Sequence, residues 1–269
     1  MRFLALAASC LLALALAGCG SDDEGSSPGG TTTQPPAQTT DPPAQTSTEE
    51  EEHAEPIVIS VYFLRDGKVG ITRRNAILGA KVGTAAVEQL LAGPTSTDRA
   101  AGLTSAIPVG TRLERLSIDA GTATADFSRE LSPGAAAQVV YTLTQFPTVR
   151  RVSVDGAAPL GRADLEDLTP AILVEVPAPG YSVSSPVLIT GTANTFEATF
   201  QVEILDAGGR VVGKRFVTAT SGSGTRGTFQ AKVPFRVGEK GPGKLVVYEL
   251  SAEDGSRLHE VEIPLELAP

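Results

Sequence analysis

LERLSIDAGTATADFSRELSPGAAAQVVYTLTQFPTVRRVSV, residues Leu113–Val154, decides the fold. Leu116 and Ile118 alternate with polar residues over Leu113–Asp119. Ala123, Ala125 and Phe127 alternate with Thr122, Thr124 and Asp126. Alternation at period two marks strands with one buried face, and Ala120-Gly121 joins them as a hairpin. Ser132 followed by Pro133 reads as the N-cap and first position of a helix. Ala136, Val139, Val140, Leu143 and Phe146 supply its apolar stripe, and Pro147 ends it. Arg151-Val152-Ser153-Val154 with Asp155-Gly156 is a closing strand and turn.

Upstream, Ile57-Val58-Ile59-Ser60-Val61-Tyr62-Phe63-Leu64 is rich in strand-forming residues. Arg65-Asp66-Gly67-Lys68 reads as a turn, because Asp-Gly tolerates the positive φ of tight hairpins. Val87, Leu90 and Leu91 fall at i, i+3 and i+4, so Val82 to Ala92 predicts a short amphipathic helix. Gly93 can take its left-handed cap, and Pro94 prevents continuation. The order β-α-β-β-α-β predicts an α+β domain with two helices on one face of a small sheet.

Five strings in consistent order carry a resemblance over roughly residues 57–157. They are Val61-Tyr62-Phe63-Leu64, Leu90-Leu91-Ala92-Gly93-Pro94, Ser105-Ala106-Ile107-Pro108, Asp126-Phe127-Ser128 and Val154-Asp155-Gly156. Together they resemble the GerMN, or sporulation and spore germination, domain. That resemblance implies an extracytoplasmic, non-catalytic domain with a fold like the ring-building modules of secretion systems. It brings no catalytic residues with it.

From Ala171 onward helical periodicity disappears. Candidate strands are 172–176, 187–191, 199–205, 211–218, 227–235, 244–251 and 260–267. Turn signals separate them at Pro179-Gly180, Ala207-Gly208-Gly209 and Asp254-Gly255. Seven short strands predict an all-β sandwich. Without a cysteine pair or Trp it is not an antibody-type domain; Phe200, Phe216, Phe229 and Tyr248 are its expected core aromatics. The run Pro179 to Pro186, with Gly191-Thr192-Ala193, Phe196-Glu197 and Ser251 to Ser256, resembles the immunoglobulin-like domain of bacterial spore germination. That domain commonly accompanies GerMN.

The N-terminus predicts where these domains sit. Arg2 precedes an apolar run, Phe3 to Ala17, of signal-peptide length and shorter than the roughly 20 residues of a membrane-spanning helix. Leu16-Ala17-Gly18-Cys19 resembles the lipobox of bacterial lipoproteins. The resemblance implies cleavage between Gly18 and Cys19 and acylation of Cys19, which anchors the chain to membrane lipid at the outer face of the cytoplasmic membrane or another periplasm-facing membrane. The other reading is an ordinary signal peptide with an incidental cysteine. Cys10 lies in the removed leader, so the mature chain has no disulfide and no thiolate site.

Gly20 to Glu55 contains no Leu, Ile, Val or Phe and is dominated by Ser, Thr, Gln, Pro, Gly and acid. Such a segment cannot bury enough apolar surface to offset ordering entropy, and reads as a disordered tether reaching roughly 30–40 Å. The expected division is therefore leader 1–18, anchor and tether 19–56, α+β domain 57–160, connector 161–170 and sandwich 171–269. The tether holds nine of the chain's 31 acids and the leader one of its 22 bases. The rest is nearly neutral, which gives no footprint for nucleic acid.

Catalytic signals are sparse. His53 lies in the tether and His259 near the last strand. Gly222 to Gly227 matches GxGxxG, but a strand follows it where the dinucleotide fingerprint needs a helix. Asp164, Glu166 and Asp167, and Glu253-Asp254, read as solvated or turn-forming acids rather than calcium ligands. No cofactor, metal or catalytic residue is expected, and the chain is not expected to be an enzyme. The expected partners are membrane lipid and an envelope protein or a second copy of the chain. Open strand edges offer a route to such pairing. A peptidoglycan- or glycan-binding role is the alternative.

Overall fold

The computed structural model describes residues 56–77, 79 and 81–269. Gly18, Cys19, the tether and His53 lie outside the described residues. β1 (Pro56–Arg65) and β2 (Lys68–Ile77) form an antiparallel hairpin, paired residue for residue from Arg65↔Lys68 to Pro56↔Ile77. Asp66 (φ 52°) and Gly67 (φ 75°) give the two positive φ values of a tight turn that matches strand twist. α1 (Val82–Leu91) ends at Gly93 with φ 80°. α2 (Ser96–Ala100) starts with a Thr95–Asp98 capping box. β3 (Leu113–Asp119) and β4 (Thr122–Phe127) are antiparallel, and β5 (Arg151–Val154) lies parallel to β4. α3 (Pro133–Leu143) is the crossover, with Ser132 Oγ accepting from the Ala135 N–H at 3.3 Å.

The chain is mixed α+β, with one difference from the expected order. The sheet is split: β1–β2 stands alone, and β3-β4-β5 is a separate sheet. The order is β-β-α-α-β-β-α-β, with α1 and α3 packed on each other, on the hairpin and on the second sheet, whose buried residues share their core. β2 escapes the periodicity because Arg73, Arg74 and Asn75 interrupt its apolar alternation. In the fold their polarity is answered: Arg74 pairs with buried Asp98, and Arg73 Nη2 donates to Glu175 O at 3.0 Å. α2 is too short to show a period. Ile118 is 46% exposed and Leu116 only half-buried, because β3 is an edge strand. α3 carries more than a stripe: Ala135, Ala137, Gln138 and Thr142 are buried too, while Ala136 and Phe146 are half-buried.

The second half is an immunoglobulin-like sandwich. One sheet is ordered β10-β9-β12-β13-β7, from β7 (Ser182–Ser184), β9 (Thr199–Asp206), β10 (Val211–Thr218), β12 (Gly241–Leu250) and β13 (Arg257–Ala268). The other is ordered β11-β8-β6, from β6 (Ile172–Val176), β8 (Val187–Ala193) and β11 (Gly227–Val233). β7 was not legible, since three residues cannot display alternation; it runs parallel to Glu266–Ala268. Phe200 and Phe229 meet edge to face at 4.8 Å between the sheets. Phe216 is not in the core but 57% exposed. Val217 takes the inward position on β10, so period two turns Phe216 outward. Phe235, just beyond β11, is a buried aromatic of this core instead, at 3% exposure. Gly191 lets β6 and β8 approach: a Cβ there would stand 2.0 Å from Leu173 O.

Candidate interaction cleft

Two apolar cores meet at β6. Leu173 belongs to the first core, Ile172 and Val174 to the second, so one short strand alternates between them. The 3-10 turn Arg162–Leu168 precedes that strand and supplies the ties. Arg162 Nη1 donates to Glu175 Oε1 at 2.9 Å, and its Nη2 to the Tyr62 hydroxyl at 3.2 Å. Its guanidinium carbon lies 4.7 Å from the Tyr141 ring centre and 5.2 Å from that of Tyr62. The Tyr62 hydroxyl also donates to Glu175, and the Tyr141 hydroxyl bonds Thr169 Oγ1 at 2.6 Å. Burial and then the Glu175 charge push the Tyr62 phenol well up, so it remains a neutral donor. Burial alone would lower the Arg162 guanidinium, but Tyr62 and Glu175 hold it above its ordinary value.

A second tie lies beside the first. Arg226 binds Glu166 through Nε–Oε2 and Nη2–Oε1, both at 2.9 Å, and donates from Nη2 to Pro170 O at 2.8 Å. Asn194 Nδ2 donates to Glu166 at 2.8 Å. The hydrogen bond from Arg226 draws the Glu166 carboxyl below its usual range. Glu166, read as a solvated acid, is therefore a bidentate partner across the connector. Its neighbour Asp164 accepts from Gly161 N at 2.8 Å and pairs with Arg151.

Between the halves lies a cleft of about 620 Å³, within the size range of small-molecule ligand sites. Its walls are the β1–β2 turn with the start of β2, the start of β6, and Glu260–Pro264 of β13. Arg65 spans it, donating from Nη1 to Glu262 O at 2.9 Å, and burial lowers its pKa. Lys244 pairs with Glu262 at 2.5 Å. Lys68 donates to Asp167 O. The rim balances Arg65, Lys68 and Lys244 against Asp66, Glu260 and Glu262.

The backbone on these walls is informative. In a two-residue hairpin the closing pair, Arg65 and Lys68, is hydrogen-bonded, and bonding alternates from there. Leu64, Tyr62 and Ser60 therefore point their main-chain groups away from β2, and all three are capped. Leu64 exchanges bonds with Thr104 at 2.8 and 2.7 Å. Tyr62 N donates to Thr142 Oγ1 at 3.1 Å and Tyr62 O accepts from Gln138 Nε2 at 3.3 Å. Ser60 N and O are met by Gln145 at 2.7 and 2.6 Å. The edge of β1, expected to be open, is thus closed by a polar stripe of α3 and the residue just beyond it. On β2 the same alternation turns the groups of Val69 and Ile71 away from β1 toward β6, where both residues are buried at 2% and 4% exposure. Among the described residues nothing bonds them.

Other sequence candidates are placed plainly. His259 sits in β13, half-exposed, with Nε2 3.8 Å from Glu249 Oε2. Gly222–Arg226 is the loop before β11, which Gly227 begins. Glu253 and Asp254 lie in the turn between β12 and β13, where Asp254 accepts from Ser256 N at 3.0 Å. Among the described residues no three His, Cys, Asp or Glu stand close enough to hold a metal ion. No described helix is long and apolar enough to cross a membrane. Sequence reasoning missed Arg162, Glu175 and Arg226. A lone acid inside the apolar run Ile172–Val176 was the signal for Glu175; nothing in the local pattern marks the two arginines.

Residues 60–157 match the family described as sporulation and spore germination. Residues 171–256 match the family described as the immunoglobulin-like domain of bacterial spore germination. Among solved structures the chain is similar to the tandem GerMN domains of the sporulation protein GerM from Bacillus subtilis. The identity is 22% and the TM-score 0.33, over 44% of this chain and 48% of that one. This chain thus spans about half of that structure's length. A protein from Clostridium perfringens described as a lipoprotein is 18% identical with a TM-score of 0.28, over 42% of this chain and 93% of that one. CopC from Methylosinus trichosporium OB3b is 19% identical with a TM-score of 0.23, over 36% and 94%. No curated protein matches the sequence.

Proposed function

From a chain that carries a sporulation and spore germination domain followed by an immunoglobulin-like domain of bacterial spore germination, we propose a lipid-anchored envelope protein whose two modules act as one non-catalytic binding unit. Cleavage after Gly18 and acylation of Cys19 fix the chain to the outer membrane face, and residues 20–55 hold the modules clear of it. Two or more acyl chains give stable anchoring where one is marginal. The partner is an envelope protein or a second copy.

One observation carries the binding role. The ties at Arg162 and Arg226 fix the cleft between the modules, so it is a standing surface and not a hinge. The prominent ionisable groups serve structure: Glu203, for example, is held by Lys214 at 2.9 Å, Arg257 at 2.7 Å and the Tyr248 hydroxyl at 2.8 Å.

Cross-linking on intact cells, followed by membrane fractionation, tests both parts. The full chain is expected in the membrane fraction, cross-linked to an envelope protein or to itself, and Cys19→Ala is expected to leave that fraction. Membrane retention of Cys19→Ala removes the lipid anchor from the reading. A chain that cross-links to no protein removes the binding role.

A further inference from the structure

We infer that the outer edge of β3 pairs with the same edge of a second copy of this chain, antiparallel about Ser117, and joins two β3-β4-β5 sheets edge to edge. The inference deepens the proposed binding role by choosing the second copy as partner, and rests on that reading.

β3 is an accessible edge. None of its residues is buried: Glu114, Arg115, Ser117, Ile118 and Asp119 are exposed, and Leu113 and Leu116 are half-buried. Asp119 and Thr122 close a two-residue turn, so Asp119, Ser117 and Arg115 bond β4. The main-chain groups of Leu116 and Ile118 then point away from β4. Among the described residues no backbone group bonds them. Other edges lack this access. Val69 and Ile71 on β2 are buried near β6. On β10, Val212 O accepts from Arg236 N at 3.3 Å and Arg215 reaches Lys232 O at 3.0 Å, so that edge faces β11. β7 is a short strand, Ser182–Ser184.

Two features fix the register independently. The regular stretch of β3 is bounded by a bulge between Leu113 and Arg115 and by the turn at Ala120, whose carbonyl accepts from Arg150 Nη2 at 3.0 Å. Ser117 is the midpoint of the stretch between them, Arg115–Asp119. A two-fold axis there pairs Leu116 with Ile118 of the second copy and Ile118 with its Leu116, each pair exchanging N–H···O bonds in both directions. The same axis sets Arg115 opposite Asp119 of the second copy, and Asp119 opposite its Arg115. An axis at Leu116 or at Ile118 leaves both charges without an opposite, and in-register parallel pairing sets Arg115 beside Arg115.

The side chains suit this arrangement. Lysines or inward-pointing charges guard an edge against pairing. Arg115 and Asp119 are opposite in sign and equidistant from the midpoint, so on a second copy they attract. Arg115 is free to turn: its side chain is 74% exposed, and its contact with Asp126 is long, at 3.7 Å. On the other face Leu116 meets Ile118, which is 46% exposed and gains apolar cover. A strand pair this short is weak in free solution. Residence of both copies on one membrane surface raises the effective concentration that it needs.

The test uses the full chain in membranes of cells that express it. Ser117 and its copy form a pair without mutual hydrogen bonds, with Cα atoms roughly 4.5 Å apart, a separation that a disulfide spans. On mild oxidation Ser117→Cys is expected to give a disulfide dimer at roughly tenfold the yield of Thr124→Cys, one strand further in, with Cys10 and Cys19 common to both. Adding Asp119→Arg is expected to cut the Ser117→Cys dimer about tenfold by setting like charges opposite, and adding Arg115→Asp as well to restore it. No dimer, an equal dimer from Thr124→Cys, or a mixed disulfide to another protein in its place overturns the inference. So does a yield unchanged by Asp119→Arg or not restored by the double reversal. Membrane and soluble fractions are read separately. An anchored chain without the dimer removes the pairing alone, while a dimer found only in the soluble fraction keeps the pairing and removes the anchor.

Discussion

β1 and β2 are the same length and pair residue for residue, yet their outer edges meet opposite fates. The β1 edge is closed by side chains of Gln138, Thr142 and Gln145 and by the backbone of Thr104. Those three polar side chains recur at steps of four and three, one face of a helix. A helix thus stands in for a strand, presenting amides and a hydroxyl where a ladder would present peptide groups. The β2 edge has no such stripe beside Val69 and Ile71; those residues are buried near β6, at the margin of the cleft. The difference teaches that a two-stranded sheet in this fold is capped by side-chain hydrogen bonds on the side that faces its own core and covered by packing alone on the side that faces the second module.

Gln138→Leu breaks the comparison most directly. Gln138 is fully buried, accepts from Ala106 N at 2.8 Å and donates to Tyr62 O. Leucine fits the volume but leaves a buried N–H and a buried C=O without partners. At roughly 1–3 kcal/mol for each, offset in part by apolar burial, a loss of about 3–4 kcal/mol is expected in urea unfolding. A loss below about 1 kcal/mol would show that β1 does not depend on this cap.

How much of this could be read from sequence depends on whether a residue serves its neighbours or a distant partner. The β3–β4 hairpin and the start of α3 were legible because their signals are local: alternation, Gly121, Ser132-Pro133. The strands of the sandwich were legible for the same reason. β2 was not, because its Arg73 and Arg74 are made tolerable by Glu175 and Asp98, far along the chain. The face of β10 was ambiguous, since Phe216 and Val217 are both apolar and period two admits only one. The cleft was illegible as a site: Arg162, Glu175 and Arg226 come from a connector, a strand and a loop with no shared motif. The polar steps Gln138 and Thr142 inside an apolar helix, and Gln145 just after it, were visible, but their meaning needed β1 beside them.

Arg162→Met tests the far wall of the β2 edge. It removes the ion pair to Glu175, the bond to Tyr62 and the stacking on both tyrosines, and leaves Glu175 without its cation. Breaking a fully buried pair costs about 3–5 kcal/mol; this one is partly exposed, so about 2–3 kcal/mol is expected. Calorimetry should also separate one unfolding transition into two as the modules uncouple. A single transition at an unchanged midpoint would show that the cleft is fixed by other contacts.

Asp98→Asn tests how β2 is held when its outer edge has no side-chain cap at Val69 and Ile71. Asp98 accepts from Thr72 at 2.6 Å and binds Arg74, so it grips β2 through side chains on one face. Burial alone would raise its carboxyl, but hydrogen bonds from Arg74, Thr72 and Thr95 overcome that and hold it at about 2. The folded value lies below the ordinary 3.8. Its stabilisation is therefore complete above 3.8 and lost as pH falls toward 2. Asn should lower stability at neutral pH by about 2 kcal/mol and flatten the acid limb across that window. An acid limb of unchanged slope would sink the assignment.

Lys68→Ala carries the smallest effect and sharpens the contrast most. Lys68 is exposed, and its described bond is to the backbone oxygen of Asp167. If the β2 edge lacks the side-chain support that β1 has, removing this side chain should change stability by no more than about 0.5 kcal/mol. The amides of Val69 and Ile71 should exchange at an unchanged rate, because the lysine does not cap them. A loss above about 1 kcal/mol, or faster exchange at Val69, would mean that a side chain caps β2 as Gln138 caps β1. The two edges would then differ in degree and not in kind.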